Sequence, residues 1–70
     1  MNFKDNLHSL RKQKKVSQEV LAQHLGVSQR LISHYEKGKC EPSLDDLCKM
    51  ANFFGVTLDT LVGFEAEKND

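Results

Sequence analysis

Several features are scarce in this chain of 70 residues, and each scarcity argues against a class of protein. It has no Trp, one Pro and four Gly, so it is neither low-complexity nor collagen-like. No apolar run approaches the ~20 residues that a membrane-spanning helix needs. The N-terminal segment MNFKDNLHSLRKQKK lacks the apolar core of a signal peptide. We therefore expect one small domain that lies in the cytoplasm and does not associate with a membrane.

The two cysteines give no sign of a metal site or a disulfide framework. Seven residues separate Cys40 from Cys48, which fits neither a C-x-x-C redox pair nor a zinc knuckle. Free thiols in a reducing compartment are the simplest interpretation, and a redox role for Cys40 stays open. His8, His24 and His34 lie at spacings that define no metal site. We expect neither a cofactor nor a small-molecule ligand.

The net charge is zero, but the charges are unevenly distributed along the sequence. Residues 1–39 hold eight basic and three acidic side chains, whereas residues 40–70 hold two basic and seven acidic ones. The first part would attract a polyanion, because a nucleic-acid binder is marked by local rather than total charge. A solvated surface whose charges happen to segregate is the alternative.

The apolar residues recur with helical spacing, and no strand pattern or repeat is present. One stripe is Phe3, Leu7 and Leu10, in a helix that ends near Lys14. A later stripe is predicted to be buried in a fourth helix and comprises Leu44, Leu47, Met50, Ala51 and Phe54. Leu58 and Leu61 mark a short fifth helix. We predict an all-α, compact five-helix bundle over residues 1–64, followed by a polar, disordered tail over 65–70.

The segment from Ser17 to Lys37 predicts the second and third helices, joined by a tight turn. Ser17 and Ser28 can cap the two helices, and Gly26 suits the left-handed residue at the end of the first. Two short helices joined by a three- to four-residue turn with Gly describe a helix-turn-helix. The second helix of such a motif enters the DNA major groove.

The same segment resembles the Xre/Cro-type helix-turn-helix family of phage and bacterial repressors. The resemblance rests on the pattern S-Q-x-x-L-A-x-x-L-G-V-S-Q-x-x-I-S-x-x-E-x-G-x-x-x-P-S-L, which starts at Ser17. A second pattern, A-x-x-x-G-V-x-L-D-x-L, starts at Ala51, so the likeness covers roughly residues 3–63. It implies a lambda-repressor-like five-helix domain that binds double-stranded DNA, commonly as a homodimer on a palindromic operator.

The resemblance also implies a role for each matching position. The residues that would contact base edges are Gln29, Arg30, Ser33 and His34. Those that would contact phosphates are Gln18, Ser28, Gly38, Lys39 and, from the end of the first helix, Lys15. Gln18 would also brace Gln29. Arg11 and Glu36 match a pair that links the first and third helices; a weak surface ion pair is the alternative interpretation.

Some positions depart from the family pattern by being apolar. Phe53 stands where the family usually has a polar residue, and so does Leu31 on the third helix. Because exposed apolar patches often mark association surfaces, we predict a homodimer face formed by Phe53, Leu58, Leu61, Val62 and Phe64. Burial in the core is the alternative for Leu58 and Leu61.

Three classes of function follow, in decreasing order of support. The first is a sequence-specific transcriptional regulator, in particular a repressor. The second is a protein-interaction module of the same fold that does not read DNA and uses the acidic half. An enzyme is the weakest, since the sequence has no glycine-rich phosphate loop and no nucleophile beside a base.

Overall fold

The structure, a computed structural model, describes residues 3–63. Within this range the chain forms five helices and no strand, as the sequence predicts. The helices are α1 (Phe3–Lys14), α2 (Gln18–Leu25), α3 (Gln29–Lys37), α4 (Leu44–Phe54) and α5 (Leu58–Val62). None of these helices has the length and apolarity needed to cross a membrane.

Hydroxyl side chains begin four of the helices. In each case the hydroxyl accepts a hydrogen bond from the backbone N–H three residues later, at 3.1–3.2 Å. The capping residues are Ser17, Ser28, Ser43 and Thr57. Each cap satisfies a donor that the helix leaves unpaired, which is typically worth about 1 kcal/mol. The same four helices end at a glycine with φ between 69° and 76°.

One core joins all five helices. Its fully buried side chains come one from each helix and are Leu7, Leu21, Ile32, Met50 and Leu61. α3 lies between α2 and α1, while α5 packs against α1 and α4. The central position of α3 means that its inner face is fixed by the core and its outer face is left to solvent.

The first turn of α4 differs from the prediction at Leu44. Leu44 is 67% exposed, so the apolar stripe that packs on the core begins one turn later, at the partly buried Leu47. Leu44 directly follows the cap, at the rim of the bundle, where the other helices do not cover it. Asp46 donates its backbone N–H to Ser43, but its carboxylate accepts a hydrogen bond from Tyr35 instead of returning to the cap.

Candidate nucleic-acid interface

The turn between α2 and α3 consists of Gly26, Val27 and Ser28. Gly26 has φ +73°, a left-handed conformation that a Cβ would strain. The N–H of Val27 donates to the carbonyl of Ala22 at 3.0 Å, and the Val27 side chain packs on the core. Ala22 is buried. The turn is therefore held at both its backbone and its side chain, which fixes the angle between the two helices.

α3 has an inner face and an outer face. Ile32 and Tyr35 are buried on the inner face. The four residues predicted to contact bases lie on the rest of the helix: Gln29 and Arg30 are exposed, and Ser33 and His34 are partly buried. Spacings of four residues align Gln29 with Ser33, and Arg30 with His34. Leu31 is partly buried and packs against the core instead of extending the polar surface.

An ion pair joins α1 to α3 beside this surface. Arg11 Nε donates to Glu36 Oε2 at 2.6 Å and Arg11 Nη2 donates to Oε1 at 3.0 Å. Only 11% of the Arg11 side chain and 7% of the Glu36 side chain are exposed. Arg11 Nη1 also donates to the carbonyl of Val16 at 3.0 Å, in the α1–α2 connection. The predicted pair is therefore a buried, bidentate link and not a surface ion pair.

Glu36 has two further partners. Gln18 Nε2 donates to Glu36 Oε1 at 3.1 Å, and His8 Nδ1 lies 3.2 Å from the same oxygen. Burial raises the pKa of Glu36, but hydrogen bonds from Arg11, His8 and Gln18 together outweigh it and leave the pKa below its usual 4.5. A carboxylate that stays charged near neutral pH thus connects α1, α2 and α3.

His8 was not among the predicted site residues. It precedes Arg11 by three residues and so lies on the same side of α1, which is the signal that could have indicated it. Gln18 has a different partner from the one expected, because its amide donates to Glu36 and not toward Gln29. Gln18 lies at the first turn of α2, and its contact with a phosphate stays a prediction.

The loop after α3 presents basic residues beside the same surface. Gly38 has φ +75° and ends the helix, and the N–H of Lys39 donates to the carbonyl of His34 at 2.9 Å. Lys37 and Lys39 are exposed. Lys15 is exposed at the end of α1 and takes a left-handed φ of 59°. The residues predicted to contact phosphates thus lie in the loop after α3, at the starts of α2 and α3 and at the end of α1.

Tyr35 links the inner face of α3 to α4 and α1. Its hydroxyl donates to Asp46 Oδ2 on α4 at 2.9 Å, and its ring makes an edge contact with Phe3 of α1. Burial, together with the hydrogen bond to Asp46, raises the pKa of Tyr35 to about 12. α3 is therefore tied to α1 through Glu36 and to α4 through Tyr35.

The predicted dimer face is only partly exposed. Leu61 is fully buried, which removes it from the face and places it in the core, the alternative that the pattern left open. Phe53 is partly buried and contacts the rings of His24 and Phe54, at 4.6 and 5.0 Å between centroids. Leu58 is 37% exposed and Val62 is partly buried. Phe64 and the predicted tail lie outside the described residues.

Residues 3–63 contain no group of three or more His, Cys, Asp or Glu side chains arranged to hold a metal ion. Cys40 and Cys48 are both exposed free thiols.

A helix-turn-helix supported by three flanking helices defines a class of fold, and comparison with known proteins gives the family. The helix-turn-helix family model matches residues 7–61. The chain belongs to this family, in its Xre/Cro-type branch.

Relatives of different lengths share the domain. The chain is 42% identical to the HTH-type transcriptional activator BcrR of Enterococcus faecalis, over 93% of this chain and 32% of that protein. It is 40% identical to the uncharacterised HTH-type transcriptional regulator MJ0272 of Methanocaldococcus jannaschii, over 94% of this chain and the whole of that protein. The chain thus spans about a third of one relative and all of another. Both relatives are named as regulators and not as enzymes.

A solved structure shares the arrangement of the helices. The P22 c2 repressor, in complex with a synthetic operator, superposes with a TM-score of 0.85 at 25% identity, over 93% of this chain and 98% of that one. The fold predicted from the sequence, a lambda-repressor-like five-helix domain, is confirmed.

Proposed function

We propose that this protein is a transcriptional regulator that binds double-stranded DNA in a sequence-specific manner and works in the cytoplasm. The main support is the outer face of α3, where Gln29 and Arg30 are exposed on a helix whose inner face packs on the core. Ion pairing through Glu36 and hydrogen bonding through Tyr35 restrict how this helix can move. A polar face fixed on a scaffold can distinguish DNA sequences, because each contact meets one base in a defined geometry.

The side chains of α3 have the chemistry for reading bases. The nine residues of α3 span about 14 Å, at 1.5 Å per residue. Such a helix enters the major groove, which is about 12 Å wide, with its N-terminal residues toward the bases. Gln29 offers a donor and an acceptor that suit adenine N6 and N7, and Arg30 offers a fork that suits guanine O6 and N7. Ser33 and His34 would complete the contacts farther along the helix.

Phosphate binding is proposed on two sides of α3. On one side are Lys15, Gln18 at the start of α2 and Ser28 at the start of α3, and the free backbone N–H groups of both helix starts favour an anion. On the other are Gly38 and Lys39. Glu36 accepts from Gln18 and precedes Gly38 by two residues, and it is paired with Arg11, so its charge does not repel the DNA as a free carboxylate would.

We also propose a homodimer that represses transcription from a palindromic operator. Leu58 and Val62 keep apolar surface on α5, and a groove of about 250 Å³ lies beside Val62, between Phe3 and Leu47. A dimer on a palindromic operator presents its two α3 helices to half-sites about one DNA turn apart, ~34 Å. Repression needs only that the bound dimer covers a promoter. P22 c2, whose fold this chain shares, is named as a repressor.

The direct test is selection of bound sites from random DNA by the purified full chain. We expect an enriched motif with two inverted halves whose centres lie one helical turn apart. An enriched motif without inverted halves would support sequence-specific binding but would reject a dimer on a palindromic operator. Recovery of random sequence alone would reject the proposal as a whole.

A protein-interaction module is the second candidate, and the exposure of Leu44 favours it. Leu44 is 67% exposed beside the acidic residue Asp45 on α4, away from the basic part of the chain. An apolar side chain next to acidic ones could meet a basic partner protein. A DNA titration at ~150 mM salt separates the candidates, since a specific binder prefers its site over random DNA by at least about 10³-fold.

A further inference from the structure

The side chain of Lys4 on α1 crosses the residue that ends α3. A methyl group built on Gly38 would lie 3.0 Å from Cδ of Lys4 and 3.4 Å from its Cε. The aliphatic stem of Lys4 therefore occupies the space that the missing side chain of Gly38 leaves. This contact is separate from the left-handed φ of Gly38, which by itself already favours glycine.

The stem contact places the Lys4 ammonium group at the loop after α3. Lys37 and Lys39 are the exposed basic neighbours of Gly38 in the chain. About 44% of the Lys4 side chain is exposed, and its Nζ lies 3.7 Å from Oδ1 of the exposed Asp5. Exposed pairs of this kind are weak and screened by salt, so Lys4 can exchange this partner for a stronger one.

We infer that Lys4 is a further phosphate-contacting residue, acting beside Lys39 at the loop after α3. This inference rests on the proposed function, because it requires DNA on the outer face of α3. Packing of the stem on Gly38 restricts the ammonium group before DNA binds, so less side-chain entropy is lost in the contact. α1 thereby takes part in DNA binding directly, besides supporting α3 through Arg11.

The test compares Lys4→Met with the wild-type chain. Met keeps an unbranched stem over Gly38 but removes the charge. Affinity is measured on the selected operator and on random DNA over a range of salt concentrations. Loss of one phosphate contact lowers the slope of log K against log salt by about 0.9 and weakens binding roughly fivefold to tenfold at ~100 mM salt, on both DNAs alike. Lys4→Arg should keep the wild-type slope.

Lys14→Met is the matched control. Lys14 belongs to the same helix and carries the same charge, but its Nζ lies 5.7 Å from the centre of the Phe53 ring on α4. The control removes one charge without removing the proposed contact. Equal salt slopes for Lys4→Met and Lys14→Met would overturn the inference. A Lys4→Met variant that loses thermal stability but binds DNA with the wild-type salt slope would overturn it as well. If the wild-type chain shows no preference for any DNA site, the proposed function fails. If the wild-type chain prefers its operator but Lys4→Met has the wild-type salt slope, only the role of Lys4 is rejected.

Discussion

Arg11 and Glu36 form two parallel hydrogen bonds, of 2.6 and 3.0 Å, between α1 and α3. Both side chains are almost fully buried, and the same guanidinium group also holds the carbonyl of Val16. The carboxylate in turn accepts from Gln18 on α2. One ion pair thus fixes the relative positions of three helices, including the two that form the helix-turn-helix.

Replacing Glu36 by Gln should destabilise the protein strongly. Removing one partner of a buried ion pair leaves the other charge buried without compensation, which costs about 3–5 kcal/mol. Chemical denaturation of the variant and the wild-type chain measures this difference in the free energy of unfolding. A difference below about 1 kcal/mol would mean that the link contributes no more than an exposed pair.

The contribution of Glu36 should also depend on pH. Its pKa is lower in the folded chain than its usual 4.5, so the unfolded chain takes up the proton first as the pH falls. The stabilisation is therefore complete well above pH 4.5 and is lost as the pH drops through the folded pKa. Unfolding measured from pH 7 down to acid should show the gap between wild type and Glu36→Gln closing. A gap that stays constant would contradict the lowered pKa.

The Tyr35 hydroxyl should lose its proton at a higher pH than an ordinary tyrosine. It is the only Tyr in a chain without Trp, so near-ultraviolet absorbance reports its phenolate alone. We expect a midpoint near 12, because the folded chain raises the pKa of this group to about that value. Since the raised pKa favours the neutral phenol, stability present below pH 10 is lost as the pH rises toward 12.

The matched variant for this titration is Asp46→Asn. It removes the negative charge of the group that accepts the hydrogen bond from Tyr35 and leaves the phenol buried. Its titration midpoint should fall toward the usual value of 10 without reaching it, because burial remains. Identical midpoints in the two proteins would show that the negative charge of Asp46 has no effect on the titration.

Substitution should destabilise the protein far less at Leu44 than at Met50, although both belong to the apolar pattern of α4. Leu44 is 67% exposed, so Leu44→Gln should change the free energy of unfolding by no more than about 0.5 kcal/mol. Met50 is fully buried, and Met50→Ala should cost about 2–5 kcal/mol. Thermal unfolding of the two variants checks this contrast. A large loss for Leu44→Gln would indicate that Leu44 is covered in solution.

The proposed dimer can be tested through α5. Leu58→Asp and Val62→Asp place a charge on the partly exposed side of this helix without touching the buried Leu61. Sedimentation at high micromolar protein should show a dimer for the wild-type chain and a monomer for the variants. Phe53→Ser is the comparison, since Phe53 already packs against His24 and Phe54 within one chain. A wild-type chain that sediments as a monomer at this concentration would contradict the proposed homodimer.

Local signals in the sequence were enough to predict most of the fold. Hydroxyl caps at Ser17 and Ser28 and the glycine at the end of α2, Gly26, act within a few residues, so the pattern predicts where these helices begin and end. The exposure of Leu44 could not be predicted in this way, because helical spacing says which residues share a face but not which turn the other helices cover.

The candidate site was predictable where its residues match a family pattern and not where they meet only in three dimensions. Arg11 and Glu36 were expected as a pair from the resemblance, yet the pattern did not include His8 beside them. The contact of Lys4 with Gly38 depends on how α1 crosses the end of α3. No spacing in the sequence reports that crossing.

The central claim is that exposed side chains of α3 read DNA bases, and Arg30→Ala tests it most directly. The measurement is the affinity of the wild-type chain and of Arg30→Ala for the selected operator and for random DNA at ~150 mM salt, with Lys39→Ala as the control. We predict that Arg30→Ala loses about 1–3 kcal/mol of discrimination at one operator position, whereas Lys39→Ala weakens binding to all sequences alike. Equal losses of Arg30→Ala on operator and random DNA would contradict the account.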